Sequence, residues 1–454
     1  MPHTNRPKLI VSVSGIRGLV FDPLSPEVCS RYASAVATVL GRGTYVVGRD
    51  TRPSGAILKA AIISGLRAAG AGVIDLGIAA TPTIQLAVEH HKARGGIAVT
   101  ASHNPAQWNA MKLISEAGTF LERGDIERVA GVFDSGGIAY AGFDTAGGIE
   151  EDTEAGKRHI QKVLDLAFLD VAAIARRRFR IALDGVNGAA SVVAPALLRG
   201  LGCEVFPIDC EASGIFRRPP EPLPENLTEL CRAVRDFRAD VGFAFDPDGD
   251  RLALVDENAA PVGEDYTLAI CADLVLKKSK GPVVTNLSTS RVVEDIARRH
   301  GVTLERTPIG EINVVARMKK VGSAIGGEGN GGVILPDVHY GRDALVGVAL
   351  VLEALLESGG TFSELMVNYP KYVIVKEKVA FEEMPDFGRI AAAIQTHFAG
   401  ARFNLEDGVR VDLGKSWLHV RRSGTEPVIR LIGESEDRAG ALGLVHQARR
   451  LMEQ

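Results

Sequence analysis

The chain is predicted to fold as an α/β protein, with three similar domains of mixed α/β/α layers and a smaller α+β domain around a central cleft. Two observations predict it. One strand–helix–strand unit recurs three times, with nearly continuous apolar strands of the kind covered on both faces. After about Tyr369 that pattern breaks into short alternating strands and two helical stretches. We place the domains at 1–150, 151–252, 253–366 and 367–454.

Each repeat opens on a β-rich run ending in a polar turn: Thr44 to Asp50, Phe179 to Gly185, and Gly281 to Leu287. A stretch apolar at 3–4 spacing follows, Ala60 to Ala69, Ala189 to Leu201 and Arg291 to His300, the period of a half-buried helix. Each stops at a glycine that opens a second strand: Gly72 to Leu76, Gly202 to Phe206, and Gly301 to Leu304. A third strand then runs into a polar or glycine-rich loop, at Thr100–Pro105, Asp246–Arg251 and Gly327–Gly332. In a mostly parallel sheet such loops lie beyond the carboxyl ends of the strands, where ligands bind. The last domain is predicted to hold strands near Tyr372–Val379, Gly408–Asp412, Trp417–Arg421 and Val428–Ser435, with helices at Phe387–Phe398 and Arg438–Met452. Its own loop is Arg421–Pro427.

The composition suits that size and class. Of 454 residues, 46% are hydrophobic and 24% charged, enough for sizeable cores and incompatible with a disordered chain. A formal net charge of −4 gives no support to a nucleic-acid or anionic-membrane binder. The cysteines, Cys29, Cys203, Cys210, Cys231 and Cys271, form no CxxC pair, so reduced thiols are expected. No apolar run approaches membrane-spanning length and Met1 to Ser12 lacks a signal-peptide core, which leads us to expect a cytoplasmic protein.

The loops carry the chemistry. Asp246, Asp248 and Asp250 place three carboxylates at alternate positions, able to meet on one hard divalent cation, with Mg²⁺ the expected ion. An EF-hand is a poor rival, because Arg251 stands where that loop needs glycine and Leu252–Val255 reads as a strand. Ser102 can be a nucleophile, an anion ligand or a helix N-cap, since Asn104-Pro105 also suits a helix start. Lys112 can neutralise a phosphoryl group. Gly327–Gly332 matches G-x-G-x-x-G, but the strand-like Val333–Pro336 follows instead of a helix, so it is not a dinucleotide site. Its Glu328 and Asn330 suit sugar hydroxyls. Arg421, Ser423, Gly424, Thr425 and Arg430 combine guanidinium forks, hydroxyls and a glycine, a set suited to a phosphate dianion. Arg17, in Ser14–Gly18, is a further arginine among glycines.

Taken jointly and in this order, the Ser12–Gly18 segment, the Ser102 loop, the Asp246–Arg251 loop, the Glu328 loop and the Arg421–Arg430 loop resemble those of the α-D-phosphohexomutases over essentially the whole chain. That resemblance implies four domains, Ser102 carried as phosphoserine, and Mg²⁺ held by Asp246, Asp248, Asp250 and the phosphoserine oxygen. It implies that Glu328 and Asn330 bind the sugar, and that Arg421, Ser423, Gly424, Thr425 and Arg430 bind its distal phosphate. Arg17, His103, Lys112 and Arg251 match positions around the transferred phosphoryl. The activity implied is interconversion of hexose 6-phosphate and 1-phosphate through a hexose 1,6-bisphosphate, which also serves as activator. Asn330, Gly332 and Glu311 stand where many relatives carry serine, histidine and a basic residue, a pattern closer to the archaeal-type phosphoglucosamine mutase branch. Glucosamine phosphate is therefore the leading substrate, with mannose and glucose phosphates, a sugar-phosphate phosphatase and a catalytically dead binding paralogue as alternatives. A monomer or homodimer is expected.

Overall fold

The computed structural model describes residues 8–381, 384–423 and 428–452. The repeat is present, and its topology is the same each time. In the second sheet the order is Leu252–Asp256, Val241–Phe245, Arg180–Asp184, Glu204–Ile208; numbered along the chain within the sheet, this is 4-3-1-2. The third sheet has the same order in Gly332–Ile334, Ile325–Glu328, Val283–Asn286 and Leu304–Thr307. The first sheet contains it in Trp108–Ser115, Gly95–Val99, Thr44–Arg49 and Gly72–Ile78. It then adds the hairpin Ile10–Ser12/Gly15–Leu19 on one edge and Ile149–Glu151 on the other.

Strands one to three of each unit are parallel, and the fourth folds back antiparallel on the third. Each repeat is thus mostly parallel with one antiparallel edge strand, because the third connection is a short loop and cannot make a crossover. One strand lies elsewhere than expected: the third unit's second strand is Leu304–Thr307, not Gly301–Leu304. Gly301 and Val302 instead complete the turn after helix Val292–Arg299, with their N–H groups bonded to Arg298 and Ala297 carbonyls.

Residues 264–278 and 344–358 form helices that the sequence reading did not place. They are buried nearly all round: every residue from Ala344 to Leu355 is buried. A helix buried all round shows no 3–4 stripe, so periodicity could not reveal it. Asp343 caps the second of them, accepting from the Leu345 and Val346 N–H groups. These helices join the second and third sheets into one continuous core containing Phe243, Phe245, Leu268, Leu274, Leu345 and Leu352. The first sheet has separate cores on its two faces. The last sheet is fully antiparallel, ordered Val373–Ala380, Val428–Ser435, Ser416–Arg422, Val409–Leu413, Arg402–Asn404, and packs its own core under helices Phe387–His397 and Arg438–Met452. Among the described residues no helix is long and apolar enough to cross a membrane.

Candidate active site

The topology places the chemistry. The Ser102 loop joins strands three and four of the first sheet, the aspartate loop joins those of the second, and the Glu328 loop those of the third. All three are equivalent hairpin tips at the carboxyl end of a parallel strand.

In the first tip Ser102 has φ +48°, and the next element is strand Trp108–Ser115, so Ser102 caps no helix. The strained turn is held by Arg52, fully buried, whose guanidinium donates to the carbonyls of Ser102 (2.6 Å), Asn104 (2.7 Å) and Pro105 (2.8 Å). Asp50 in turn grips Arg52 Nε at 3.0 Å and accepts from Thr100 at 2.7 Å. Neither residue was singled out in the sequence, where a buried arginine on a loop looks like any surface one. Arg17 Nη1 donates to Asn104 Oδ1 at 2.6 Å, which brings the N-terminal hairpin onto the same turn.

The Ser102 hydroxyl donates to Asp246 Oδ2 at 2.6 Å. Asp246, Asp248 and Asp250 are each fully buried, with one carboxylate oxygen apiece within 4.8 Å of the others. Gly249, at φ +71°, allows the turn that folds them inward. Lys112 Nζ reaches Asp248 at 2.7 Å and Asp250 at 3.4 Å. Thr81 donates its hydroxyl to Asp248 Oδ2 at 2.5 Å and its N–H to the Asp248 carbonyl at 2.9 Å. Burial, then Asp250 and Asp248, push the Asp246 carboxyl well above the usual range. Burial acts the same way on Asp248, but Lys112 and the hydrogen bonds from Asp246, Lys112 and Thr81 outweigh it and hold Asp248 low. Such a cluster wants a cation. Asp248 Oδ1 and Asp250 Oδ1 are buried without a hydrogen-bond partner, and an all-oxygen, high-charge donor set fits a hard divalent ion.

Glu257, the twelfth position of an EF-hand reading, instead accepts from Ser363. Arg251 Nη1 pairs with Glu221 Oε1 at 3.2 Å. His103 Nδ1 lies 3.3 Å from Ser102 Oγ. Partial burial, then Arg251, Arg17 and Arg342, hold this imidazole well below its ordinary pKa, so at neutral pH it is uncharged and able to accept a proton.

In the third tip both oxygens of Glu328 are engaged. Asn286 Nδ2 (2.8 Å) and the Gly310 N–H (3.2 Å) donate to Oε1, and Arg342 Nη1 (2.7 Å) and Asn330 Nδ2 (3.4 Å) to Oε2. Glu311 is brought in through Arg342, whose Nε donates to it at 2.9 Å. Burial above all lifts the Glu311 carboxyl to about 7.

The fourth part contributes across strands. Arg421 lies opposite Arg430, and Arg430 opposite Lys378, so three cations stand in one row across three antiparallel strands. Like charges directly opposed destabilise a sheet, and such a row suits an anion. Lys378 was invisible in the sequence, since only the register reveals it. Asp407 Oδ2 accepts from Arg421 Nε and from the Ile309 N–H, both at 3.0 Å, and so ties this row to the segment before Glu311. The Ser423 N–H bonds the Val428 carbonyl at 2.9 Å; Gly424 and Thr425 lie outside the described residues.

Four family models match in chain order: the phosphoglucomutase/phosphomannomutase α/β/α domains I (residues 8–137), II (157–261) and III (263–372), and the C-terminal domain (372–451). A Methanopyrus kandleri protein named "Probable phosphoglucosamine mutase" is 38% identical, over 94% of this chain and 95% of its own length. A Thermococcus kodakarensis phosphoglucomutase/phosphomannomutase is 37% identical over 97% of both chains. The crystal structure of a phosphoglucomutase/phosphomannomutase family protein from Burkholderia thailandensis superimposes with a TM-score of 0.85 at 25% identity, covering 98% of this chain and 97% of that one. With four matching domain models over nearly its whole length, this chain belongs to the phosphoglucomutase/phosphomannomutase family.

Proposed function

We propose that the protein is a Mg²⁺-dependent phosphohexomutase, an isomerase that interconverts a hexose 6-phosphate and its 1-phosphate through phospho-Ser102 and a sugar bisphosphate. The observation that carries this reading is the hydrogen bond from Ser102 Oγ to Asp246, which puts a nucleophile-bearing turn directly on a three-carboxylate cluster. The phosphoryl P–O bond to Ser102 breaks as a bond to the free sugar hydroxyl forms, and the hydroxyl proton leaves to a base. His103, uncharged and 3.3 Å from Ser102 Oγ, is placed to pass that proton on to the departing Ser102 oxygen and to carry it the other way in the reverse step. Mg²⁺, held by Asp246, Asp248, Asp250 and the phosphoserine oxygen, would supply neutralisation of the phosphoryl charge. Lys112, Arg17 and Arg251 add fixed positive charge around the same oxygens, so positioning and electrostatics carry most of the catalysis.

Glu328 and Asn330 hold the sugar, while Arg421, Arg430 and the Ser423–Thr425 loop grip the phosphate that is not reacting. The bisphosphate then turns round and its other phosphate returns to Ser102. Glucosamine phosphate is the leading substrate. The names of the archaeal relatives support it. Phosphorus NMR tests the reading with glucosamine, glucose and mannose 1-phosphates in turn, under Mg²⁺ and a trace of bisphosphate. Fastest appearance of glucosamine 6-phosphate is expected. Comparable glucose or mannose turnover would make it a broad-specificity mutase, and inorganic phosphate without any 6-phosphate would overturn the mutase reading.

A further inference from the structure

Arg342 is buried where the second and third hairpin tips meet, and one guanidinium binds three carboxylates. Its Nη2 donates to Asp250 Oδ2 at 2.6 Å, its Nη1 to Glu328 Oε2 at 2.7 Å, and its Nε to Glu311 Oε2 at 2.9 Å. Each bond is short, and a planar fork fixes the angles between them. The choice of oxygens matters. Asp250 Oδ2 is taken by Arg342 and Lys112, so the unpartnered Oδ1 is the oxygen left for a cation.

The backbone that presents the fork is itself held. Arg342 precedes Asp343, the cap of the buried helix Ala344–Ser358, and the free face of that cap is clamped by two histidines. His159 Nε2 lies 2.7 Å and His339 Nε2 3.1 Å from Asp343 Oδ2, and Thr83 meets His159 Nδ1 at 2.8 Å. The Ala344 N–H bonds the carbonyl of Gly249 in the aspartate loop at 3.3 Å. Side chain and backbone therefore both run from the helix start into the aspartate loop.

We propose that Arg342 is a positioning residue that sets the separation and mutual orientation of the cation-holding and sugar-holding loops, by gripping Asp250 and Glu328 on two arms of one guanidinium. This rests on the phosphohexomutase reading for its consequence in turnover, but its geometry does not. A phosphoryl group held at Asp250 and a sugar hydroxyl oriented by Glu328 must meet at bonding distance, and small errors there are costly in rate. Lysine keeps the charge but offers no rigid fork, so it cannot hold both carboxylates at a set angle.

The test uses R342Q and R342K in the full chain, with Mn²⁺ binding followed by electron paramagnetic resonance and steady-state kinetics on the sugar phosphate that wild type converts fastest. In R342Q the sugar KM is expected to rise about tenfold or more, as Glu328 loses its anchor. Mn²⁺ should at the same time bind about threefold tighter or better, because Asp250 loses the nearer of the two cations on its Oδ2 and keeps only Lys112 there. In R342K, Mn²⁺ affinity should return to the wild-type value while KM stays high. Opposite movements of the two constants, and rescue of only one by lysine, are not produced by general loosening of the fold. R342K with wild-type kcat and KM overturns the proposal, as does an R342Q in which both affinities weaken together. If R342Q does not fold, R342K decides alone by the same KM criterion. If wild type shows no mutase turnover, the functional reading falls, and unchanged Mn²⁺ affinity in R342Q then overturns the positioning role separately.

Discussion

Ser102 and Asp246, 144 positions apart, are joined by a 2.6 Å hydrogen bond across the seam between the first and second sheets. The bond orients the hydroxyl toward the acidic cluster that would hold the metal. Removing it in S102A is expected to cut mutase turnover on the order of 10⁴-fold or more while leaving the thermal melt close to wild type. Intact-mass measurement after incubation with sugar bisphosphate should show one added phosphoryl group in wild type and none in S102A. A phosphorylated S102A protein would move the acceptor elsewhere.

The three aspartates repel one another in a buried site, and Lys112 and Arg342 offset only part of that charge. Divalent cation should therefore raise the melting temperature as well as support activity. At about 100 times its dissociation constant, Mg²⁺ is expected to add about 2.7 kcal/mol of stability. In D248N and D250N that increment should nearly vanish in a calorimetric scan with and without chelator. Persistence of the full shift in both variants would place the cation somewhere else.

The row Lys378–Arg430–Arg421 predicts how the distal phosphate is held. R421A and K378A should each raise KM about 10- to 100-fold, the cost of a lost charge-assisted hydrogen bond, with a smaller change in kcat. Inorganic phosphate should protect wild type against heat and protect either variant less.

His419 gives a pH dependence with a definite sign. Its Nε2 must carry the proton, since it lies 2.7 Å from the Asp407 carbonyl oxygen, and Nδ1 then accepts from Ser288 Oγ at 2.8 Å. Burial, helped by Arg410, lowers its pKa to about 4. The unfolded chain, with an ordinary histidine, binds this proton at higher pH than the folded chain does. Stability is thus fully present above about pH 6.5 and declines as pH falls toward 4, by at most about 3 kcal/mol. A H419Q variant should flatten that decline in a denaturation series from pH 7.5 to 4.5. An unchanged slope would locate the sensitive group elsewhere.

How much of this was legible depended on what each feature leaves in the chain. The repeat was readable because apolar strands followed by charged tips are local patterns, and Val428–Ser435 and Arg438–Met452 were placed to the residue. The fold-back of Trp108–Ser115 was hidden, because the turn before it resembles a helix start and only the Arg52 and Asp50 contacts show otherwise. Helices Glu264–Lys278 and Ala344–Ser358 lack a polar face and so lack a period. In the site, Ser102, the three aspartates, Glu328 and Arg421 announce themselves by composition. Arg52, Thr81, Glu221, Arg342, Lys378 and Asp407 reach the site through positions that are distant in sequence, and nothing local distinguishes them from ordinary surface residues.

The shared core of the second and third sheets has a consequence for how the molecule comes apart. Four domains suggest four independent melting steps, yet Phe243 and Leu352 belong to one continuous apolar interior that cannot open on one side alone. The sheet bearing Arg421 keeps its core to itself. Heat or denaturant should then dismantle the chain as three cooperative bodies, and the body carrying the aspartate and Glu328 tips should unfold as one.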